Sequence, residues 1–128
     1  MLTLEITKRT DERLLELMKI HYSQPKGFVG RSICYAVLYD AVYYGHIVAG
    51  SATRFLPGRD EYLGTELNSI VNNIFFHVHK VNNRYPRRNF TTYVVQQWRE
   101  RVVIDWKNKY GNEVIGFETL VELPGTRS

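Results

Sequence analysis

One stretch, residues 68–122, limits the possible folds of this chain more than any other. Residues 69–78 are rich in β-branched and aromatic side chains, which predicts a strand. After a basic turn, apolar residues recur every three or four positions, which predicts a helix that ends at Tyr110-Gly111-Asn112. An apolar run over residues 114–122 predicts a second strand. The three segments form a βαβ unit with a crossover that is right-handed by default. The apolar positions of the helix are Val95, Trp98, Val102 and Trp106.

The turn before this helix carries Arg84, Arg87 and Arg88. A helix N-terminus has free backbone N–H groups and the positive end of the helix dipole, so three guanidinium groups beside it predict an anion site. The alternative is a solvated basic turn in which Asn89 is only an N-cap. Because the turn belongs to a βαβ unit, we favour the anion site. We expect residues 87–91 to lie at the mouth of a cleft between two splayed strands.

The rest of the chain adds shorter elements to this unit. Alternating apolar and polar residues predict a strand at residues 2–6, and early acids predict a helix from Thr10 to about His21. Apolar runs at residues 33–38 and 47–52 predict a hairpin, with its turn within residues 39–45. The order is therefore strand, helix, strand, strand, strand, helix, strand. This order predicts an α+β fold with a mixed sheet, antiparallel through the hairpin and parallel at the last crossover.

Length and composition bound the class of protein. The 128 residues are enough for one domain, 1–128, with a buried core. The net charge of +4 is compatible with an anionic partner such as nucleic acid or a phosphorylated cofactor, although from the charge alone a mildly basic surface is the better explanation. Cys34 is the one cysteine, so the chain has no internal disulfide and we expect a buried thiol in a reducing compartment. No apolar run is long enough to span a membrane, and we expect a cytoplasmic protein.

Three polar positions are candidates for a reaction centre. His21 is a candidate general base, because the pKa of an unperturbed histidine lies near neutrality, although the residues alone favour a surface histidine at a helix end. Asn72 and Asn73 interrupt an apolar strand and face opposite sides, so one amide must enter the core or a cleft, where it binds a ligand or bridges backbone. Glu118 could accept a proton or orient a base amine, or pair with an arginine at the rim.

Two pairs of residues have a structural interpretation. His77 and His79 share one strand face, but no nearby acid or cysteine completes a set of ligands, so we predict no metal site. Trp98 and Trp106 are predicted to lie in the core rather than to stack on bases.

The polar connection over residues 54–64 contains Arg59 and Asp60, which form either a local salt bridge or a substrate contact. Some tyrosines are predicted to lie in loops, where they could stack on bases. They are Tyr43, Tyr44 and Tyr62.

Six short motifs occur in an order and spacing that resemble the phage Mom-like DNA-modification proteins. They also resemble a related domain of unknown function found in bacterial defence and mobile-element proteins. The resemblance covers nearly the whole chain from His21 onward. The motifs are His21-Tyr22-Ser23, Gly58-Arg59-Asp60-Glu61-Tyr62-Leu63-Gly64, Asn72-Asn73-Ile74-Phe75-Phe76, Tyr85-Pro86-Arg87-Arg88-Asn89, Asp105-Trp106 with Tyr110-Gly111, and Phe117-Glu118-Thr119-Leu120-Val121-Glu122.

The resemblance implies a GNAT-like acyltransferase fold. It also implies transfer of a small acyl-derived group to the N6 amine of adenine in phage DNA, which protects that DNA from restriction. It implies acyl-CoA, such as acetyl-CoA, as cofactor, held at Arg87, Arg88, Asn89, Phe90 and Thr91. The expected catalytic residues are His21, Asn73 and Glu118. The expected contacts to double-stranded DNA are Arg59, Asp60, Tyr62 and Arg84.

One departure from the resemblance suggests an alternative. Relatives usually continue beyond the strand of Glu118 through a Thr-Gly turn, a short helix and further strands, whereas this sequence ends at Ser128. We therefore expect a C-terminally truncated GNAT-like sheet whose last strand has an open edge and pairs with its copy in a homodimer. The alternative function is a non-catalytic, basic DNA-binding module of the same fold.

Overall fold

In a computed structural model, the protein is an α+β fold, described for residues 1–21, 30–51 and 69–119, with only the backbone of Glu118 and Thr119. Five strands and two helices occupy these residues in the predicted order. They are β1 (Leu2–Thr7), α1 (Glu12–His21), β2 (Ser32–Tyr39), β3 (Val42–Ser51), β4 (Ile70–Val78), α2 (Phe90–Tyr110) and β5 (Gly116–Thr119).

The strands form one mixed sheet in the order β1-β2-β3-β4-β5. The first four strands pair antiparallel, each with its neighbour in sequence, and β4 pairs with β5 in parallel from Ile70–Gly116 to Asn73–Thr119. The predicted βαβ unit is therefore confirmed as β4, α2 and β5. The mixed sheet, antiparallel through the hairpin and parallel at the crossover, is confirmed as well.

The turn of the β2–β3 hairpin is shorter than predicted. Only Asp40 and Ala41 connect the strands, with φ of 49° and 67°. Two consecutive positive φ values fit a two-residue primed turn, the connection that matches the twist of a hairpin. The turn therefore lies within residues 39–45, as predicted, but the prediction of Tyr43 and Tyr44 as loop aromatics was wrong, because both tyrosines lie in β3. Alanine rarely adopts positive φ, so the residue types at this turn are a poor guide to it.

Each face of the sheet carries one helix. α2 packs on one face through side chains four residues apart, which confirms that Trp98 and Trp106 belong to the core. The buried side chains of α2 are Phe90, Val94, Trp98, Val102 and Trp106. α1 packs on the other face in a smaller cluster, made of Leu14, Leu17, Met18, Cys34, Val48 and Phe75.

Local hydrogen bonds cap the start of α1 and the end of α2. Asp11 precedes α1, and its Oδ1 accepts a hydrogen bond from the backbone N–H of Arg13 at 2.9 Å, which caps the helix. Gly111 ends α2 with φ of 78°, and its N–H donates to the carbonyl of Lys107 at 2.8 Å. The predicted end of α2 at Tyr110-Gly111 is therefore confirmed, and α1 is described as far as His21, its predicted end.

Some predicted features lie outside the described residues. These are the contacts at Arg59, Asp60 and Tyr62, the side chain of Glu118, and residues 120–122 of the last predicted strand, with the edge through which we expect a homodimer. Within the described ranges, neither helix combines the length and apolar character needed to cross a membrane.

The pairing of β3 with β4 leaves no space for a side chain at Gly45. A Cβ at this position would lie 1.8 Å from the carbonyl oxygen of His77, and the φ of Gly45 is 151°. We predict that Gly45→Ala lowers the free energy of unfolding by about 3 kcal/mol or more, because backbone must move and strain is added. Chemical denaturation measures this change.

Gly111→Ala is the matched control, because Gly111 also has positive φ but a Cβ there meets no atom within 4 Å among the described residues. The control should cost only the left-handed conformation, about 1 kcal/mol. Equal losses for the two variants would contradict the close approach of Gly45 to His77.

Candidate functional site

Two groups of polar side chains lie near the carboxyl end of β4, one on each face of the sheet. On the α1 face is the histidine cluster, which comprises His21, His46, His77 and His79, all four histidines of the chain. On the α2 face is the arginine turn, residues 84–89, which leads into α2. The two groups are at the same end of the sheet because α1 ends at His21, α2 begins at Phe90, and β4 ends at Val78.

Strand register and the path of α1 assemble the histidine cluster. His46 of β3 and His77 of β4 are direct partners across the two strands. α1 crosses the sheet from Arg13, which pairs with Glu5 of β1, to His21, which reaches β4. There His21 Nε2 lies 2.8 Å from His77 Nδ1, and the His77 and His79 ring centroids are 5.3 Å apart.

The contact between His21 and His77 is a hydrogen bond between two imidazoles. Such a bond needs one ring nitrogen to donate and the other to accept, so the facing nitrogens hold one proton between them. Burial lowers the pKa of His77, and the nearby His21 and His79 lower it further, so His77 is neutral near pH 7. His21 is exposed and stacks edge-on against Phe75 at 5.4 Å between ring centroids. An accessible imidazole held by a second, neutral imidazole can act as a general base.

His46 is the buried member of the histidine cluster. Its Nδ1 lies 2.5 Å from the hydroxyl of Tyr43 and its Nε2 lies 2.9 Å from the hydroxyl of Thr7. Burial lowers the pKa of His46 to about 4, and the same effect raises the pKa of Tyr43 above its usual value. His46 is therefore a neutral ring between two hydroxyl groups, and it has a structural role on the α1 face.

The described residues contain no group of three or more histidine, cysteine, aspartate or glutamate side chains arranged to hold a metal ion. His77 in β4 and His79 just after its end lie side by side, as their spacing predicted.

The backbone that leads into and through the arginine turn is unusual. Val81 and Arg84 exchange two backbone hydrogen bonds around Asn82 and Asn83, whose φ values are 52° and 67°. Asn89 then occupies the N-cap position of α2 with φ of 54°, and among the described residues its side chain makes no capping hydrogen bond. The positive φ removes the usual cap geometry, because a capping residue normally has extended backbone.

The start of α2 is electropositive. The side chains of Arg84, Arg87 and Arg88 are exposed, and the first turn of the helix contains no acid. The guanidinium of Arg87 lies over the ring of Tyr93, 3.9 Å from its centroid. An uncapped helix start beside exposed guanidinium groups is suited to an anion. Phe90 is the exception among the predicted cofactor residues: its side chain is buried at 1% exposure, so only its backbone is available for binding.

Asn72 and Asn73 are both buried, whereas the sequence required only one of them to be. Asn72 pairs with Gly50 and Asn73 pairs with Ala49, which belongs to the cluster beneath α2. Among the described residues, both polar atoms of Asn73 and Oδ1 of Asn72 have no hydrogen-bond partner.

The predicted catalytic residues are therefore not gathered at one point. Asn73 lies on the α2 face, whereas His21 lies on the α1 face. The backbone of Glu118 pairs with Asn72. His21 instead has His77 as its partner, a residue that the sequence had suggested only as half of a metal pair.

Sequence reasoning also missed His46, and it assigned Tyr43 to a loop instead of to a hydrogen bond with His46. A histidine inside a strand of small and apolar residues was the signal that could have found this contact, because a buried imidazole needs polar partners.

No protein-family model, curated protein or solved structure matches this chain.

The histidine cluster makes stability depend on pH. The pKa of His46 is about 4 in the folded protein, against 6.5 for an unperturbed histidine, so the unfolded chain binds the proton at higher pH. Stability is therefore complete above pH 6.5 and falls as the pH drops towards 4, and His77 and His79 act in the same direction. We predict that His46 alone lowers the free energy of unfolding by about 2 kcal/mol between pH 7.5 and 5.

Denaturant unfolding of the wild type and of His46→Gln at these two pH values tests this. The glutamine keeps a neutral polar side chain between the two hydroxyls but cannot bind the proton. An equal loss of stability in both proteins would show that His46 is not the group that titrates.

Proposed function

We propose that this protein is a GNAT-like transferase acting on DNA, which moves a small acyl-derived group from an acyl-CoA donor to the N6 amine of adenine, as in Mom-like proteins. The observation that supports this most directly is the accessible His21–His77 pair at the same end of the sheet as the uncapped, arginine-bearing start of α2. The first arrangement offers a base, and the second offers a site for phosphate.

The residues at the start of α2 fit the anionic part of such a donor. Arg87 and Arg88 are exposed, Asn89 leaves the first N–H groups of the helix uncapped by its side chain, and Thr91 in the first turn is half-buried. A guanidinium group can donate two parallel hydrogen bonds to two oxygens of one phosphate, and the helix start adds backbone N–H donors. When bound, acyl-CoA supplies an activated acyl group.

His21 would take the proton that the adenine amine must lose when its nitrogen acquires a new substituent. The hydrogen bond between Nε2 of His21 and Nδ1 of His77 fixes the direction of the His21 ring, so His77 is a positioning residue rather than a catalytic one. Neutral His77 can accept this bond in the tautomer whose Nδ1 carries the lone pair, which leaves Nδ1 of His21 free to take the proton. A base inside a duplex is inaccessible, so the adenine has to leave the stack first.

A second candidate function is a basic DNA-binding module without chemistry. The observation that favours it is that His21 and Asn73 lie on opposite faces of the sheet, so the expected catalytic set is divided. The arginine turn serves this function equally well, because phosphate contacts need only exposed positive charge.

Analysis of DNA nucleosides distinguishes the two candidates. We predict that DNA from cells that express this chain contains an adenine derivative, detected by mass spectrometry. His21→Gln should reduce its amount by about 100-fold or more, because a general base contributes about that factor or more to the rate.

Lys19→Gln is the matched control. Lys19 lies on the same helix, is exposed, and pairs with Glu16, so its loss should leave the modification unchanged. If cells contain abundant folded wild-type protein and their DNA still contains no new nucleoside, the transferase is rejected and the binding module is left.

DNA binding itself tests the arginine turn. We predict that Arg87→Ala with Arg88→Ala weakens binding to every DNA sequence and reduces the slope of log affinity against log salt by about 2, because about one counterion is released for each phosphate contact.

The control is Arg99→Ala with Lys107→Ala, which removes the same charge from α2 away from its start. If both double variants lose the same slope, the effect is one of net charge and the turn has no special role. If only one DNA sequence is affected, these arginines read bases instead.

A further inference from the structure

A pocket of about 450 Å³ lies between the β2–β3 turn and the arginine turn. We call it the tyrosine pocket. It is distinct from the histidine cluster, because its tyrosines belong to the core on the α2 face. Its chief lining residues are Tyr39, Asp40, Tyr44, Arg84, Tyr85 and Pro86.

One buried ring supports the pocket. The ring of Phe90, the first residue of α2, lies 5.8 Å from Tyr39, 5.2 Å from Tyr44 and 5.9 Å from Tyr85, between centroids. Because Phe90 is buried in the core, these three contacts hold the tyrosines in place. They also place the pocket next to the positive start of α2.

The exposed parts of the pocket have a specific chemistry. Tyr44 is buried, whereas Tyr39 and Tyr85 are half-buried and present aromatic ring surface to the pocket beside its polar groups. The cations are Arg84, exposed on the rim, and Lys80, whose ammonium lies 5.8 Å from the centroid of the Tyr85 ring. The carboxylate of Asp40 is paired with the terminal amine of Met1, so its negative charge is partly compensated.

Aromatic walls bind flat rings by stacking, and a cationic rim binds a phosphate attached to such a ring. We propose that the tyrosine pocket binds a nucleotide, with its base against the tyrosines and its phosphate at Arg84. This inference extends the proposed function, on which it rests for the identity of the ligand. The nucleotide is either the adenosine phosphate part of the CoA donor or a residue of a DNA strand. It is not the adenine that reacts, since His21 lies on the other face of the sheet.

The probe is adenosine 5′-monophosphate. It is titrated into the full chain, and its binding is measured from the amide chemical shifts in NMR spectra. The nucleotide should shift the amides of Tyr39, Tyr44, Arg84 and Tyr85. Adenosine and inorganic phosphate should each bind about tenfold more weakly, because each lacks one half of the ligand.

Three variants test the contacts. Tyr85→Ala and Arg84→Gln should each weaken binding about tenfold, whereas Tyr85→Phe keeps the stacking ring and should bind as the wild type does. Arg99→Gln is the control for charge, since Arg99 lies against Phe117 of β5. Unchanged affinity in Tyr85→Ala, with a wild-type amide spectrum elsewhere, would overturn the assignment. So would equal losses in Arg84→Gln and Arg99→Gln.

Competition identifies the source of the nucleotide. Coenzyme A and a single-stranded oligo-dA are each added to the complex, and the one that displaces the probe from the pocket amides is the natural class. If neither displaces it, the assignment is overturned. The proposed function fails separately: DNA without modified adenine, together with binding of the probe, rejects the transferase and leaves the pocket. Modified adenine without binding of the probe supports the transferase and rejects the assignment of the pocket.

Discussion

The pairing of β3 with β4 is the constraint on which the rest of the structure depends. Alternate residues of these strands serve the two helices: Ile47 and Phe76 face α2, whereas Val48 and Phe75 face α1. A slip of one residue would exchange every side chain between the faces. The close approach of Gly45 to the backbone of β4 helps to fix the register, and so does the irregularity after Val48, where β4 has one extra residue.

The same register decides what the candidate site can do. It sets His46 opposite His77 and so builds the histidine cluster on the α1 face, whereas the chain leaves β4 for α2 on the other face. The candidate base and the candidate anion site therefore lie at one end of the sheet but on different sides of it. A transferase with this arrangement needs its two substrates to meet beyond Val78, where the sheet no longer separates them. A DNA-binding module has no such requirement, and this is the physical difference between the two functions.

Periodicity made most of the fold predictable. The spacing of apolar residues, the acids before α1 and Gly111 after α2 are local signals, and the elements that they predict are confirmed. The hairpin turn was not predictable in the same way, because Asp40-Ala41 lacks the glycine that usually marks a primed turn. For the same reason Tyr44 was assigned to a loop, although it is buried.

The candidate site was less predictable than the fold, because it depends on contacts between distant residues. Exposed arginines before a helix are a local pattern, so the arginine turn could be recognised. The partnership of His21 with His77 joins residues 56 positions apart and needs the path of α1 across the sheet. The face of the sheet on which Asn73 lies could not be predicted either, because it depends on the register of β4 at its irregularity.

The buried asparagines limit what the site can be. A buried polar atom without a partner costs about 1–3 kcal/mol, and three such atoms of Asn72 and Asn73 lie together in β4. They lie where β4 pairs with β5, opposite Glu118 and Thr119, so both strands are polar at this point. Apolar residues would pack there at lower cost. A polar junction between two neighbouring strands therefore needs partners beyond the described side chains. Because Asn73 belongs to the α2 face, its amide, unpaired among the described residues, lies on the side of the arginine turn and not on the side of His21.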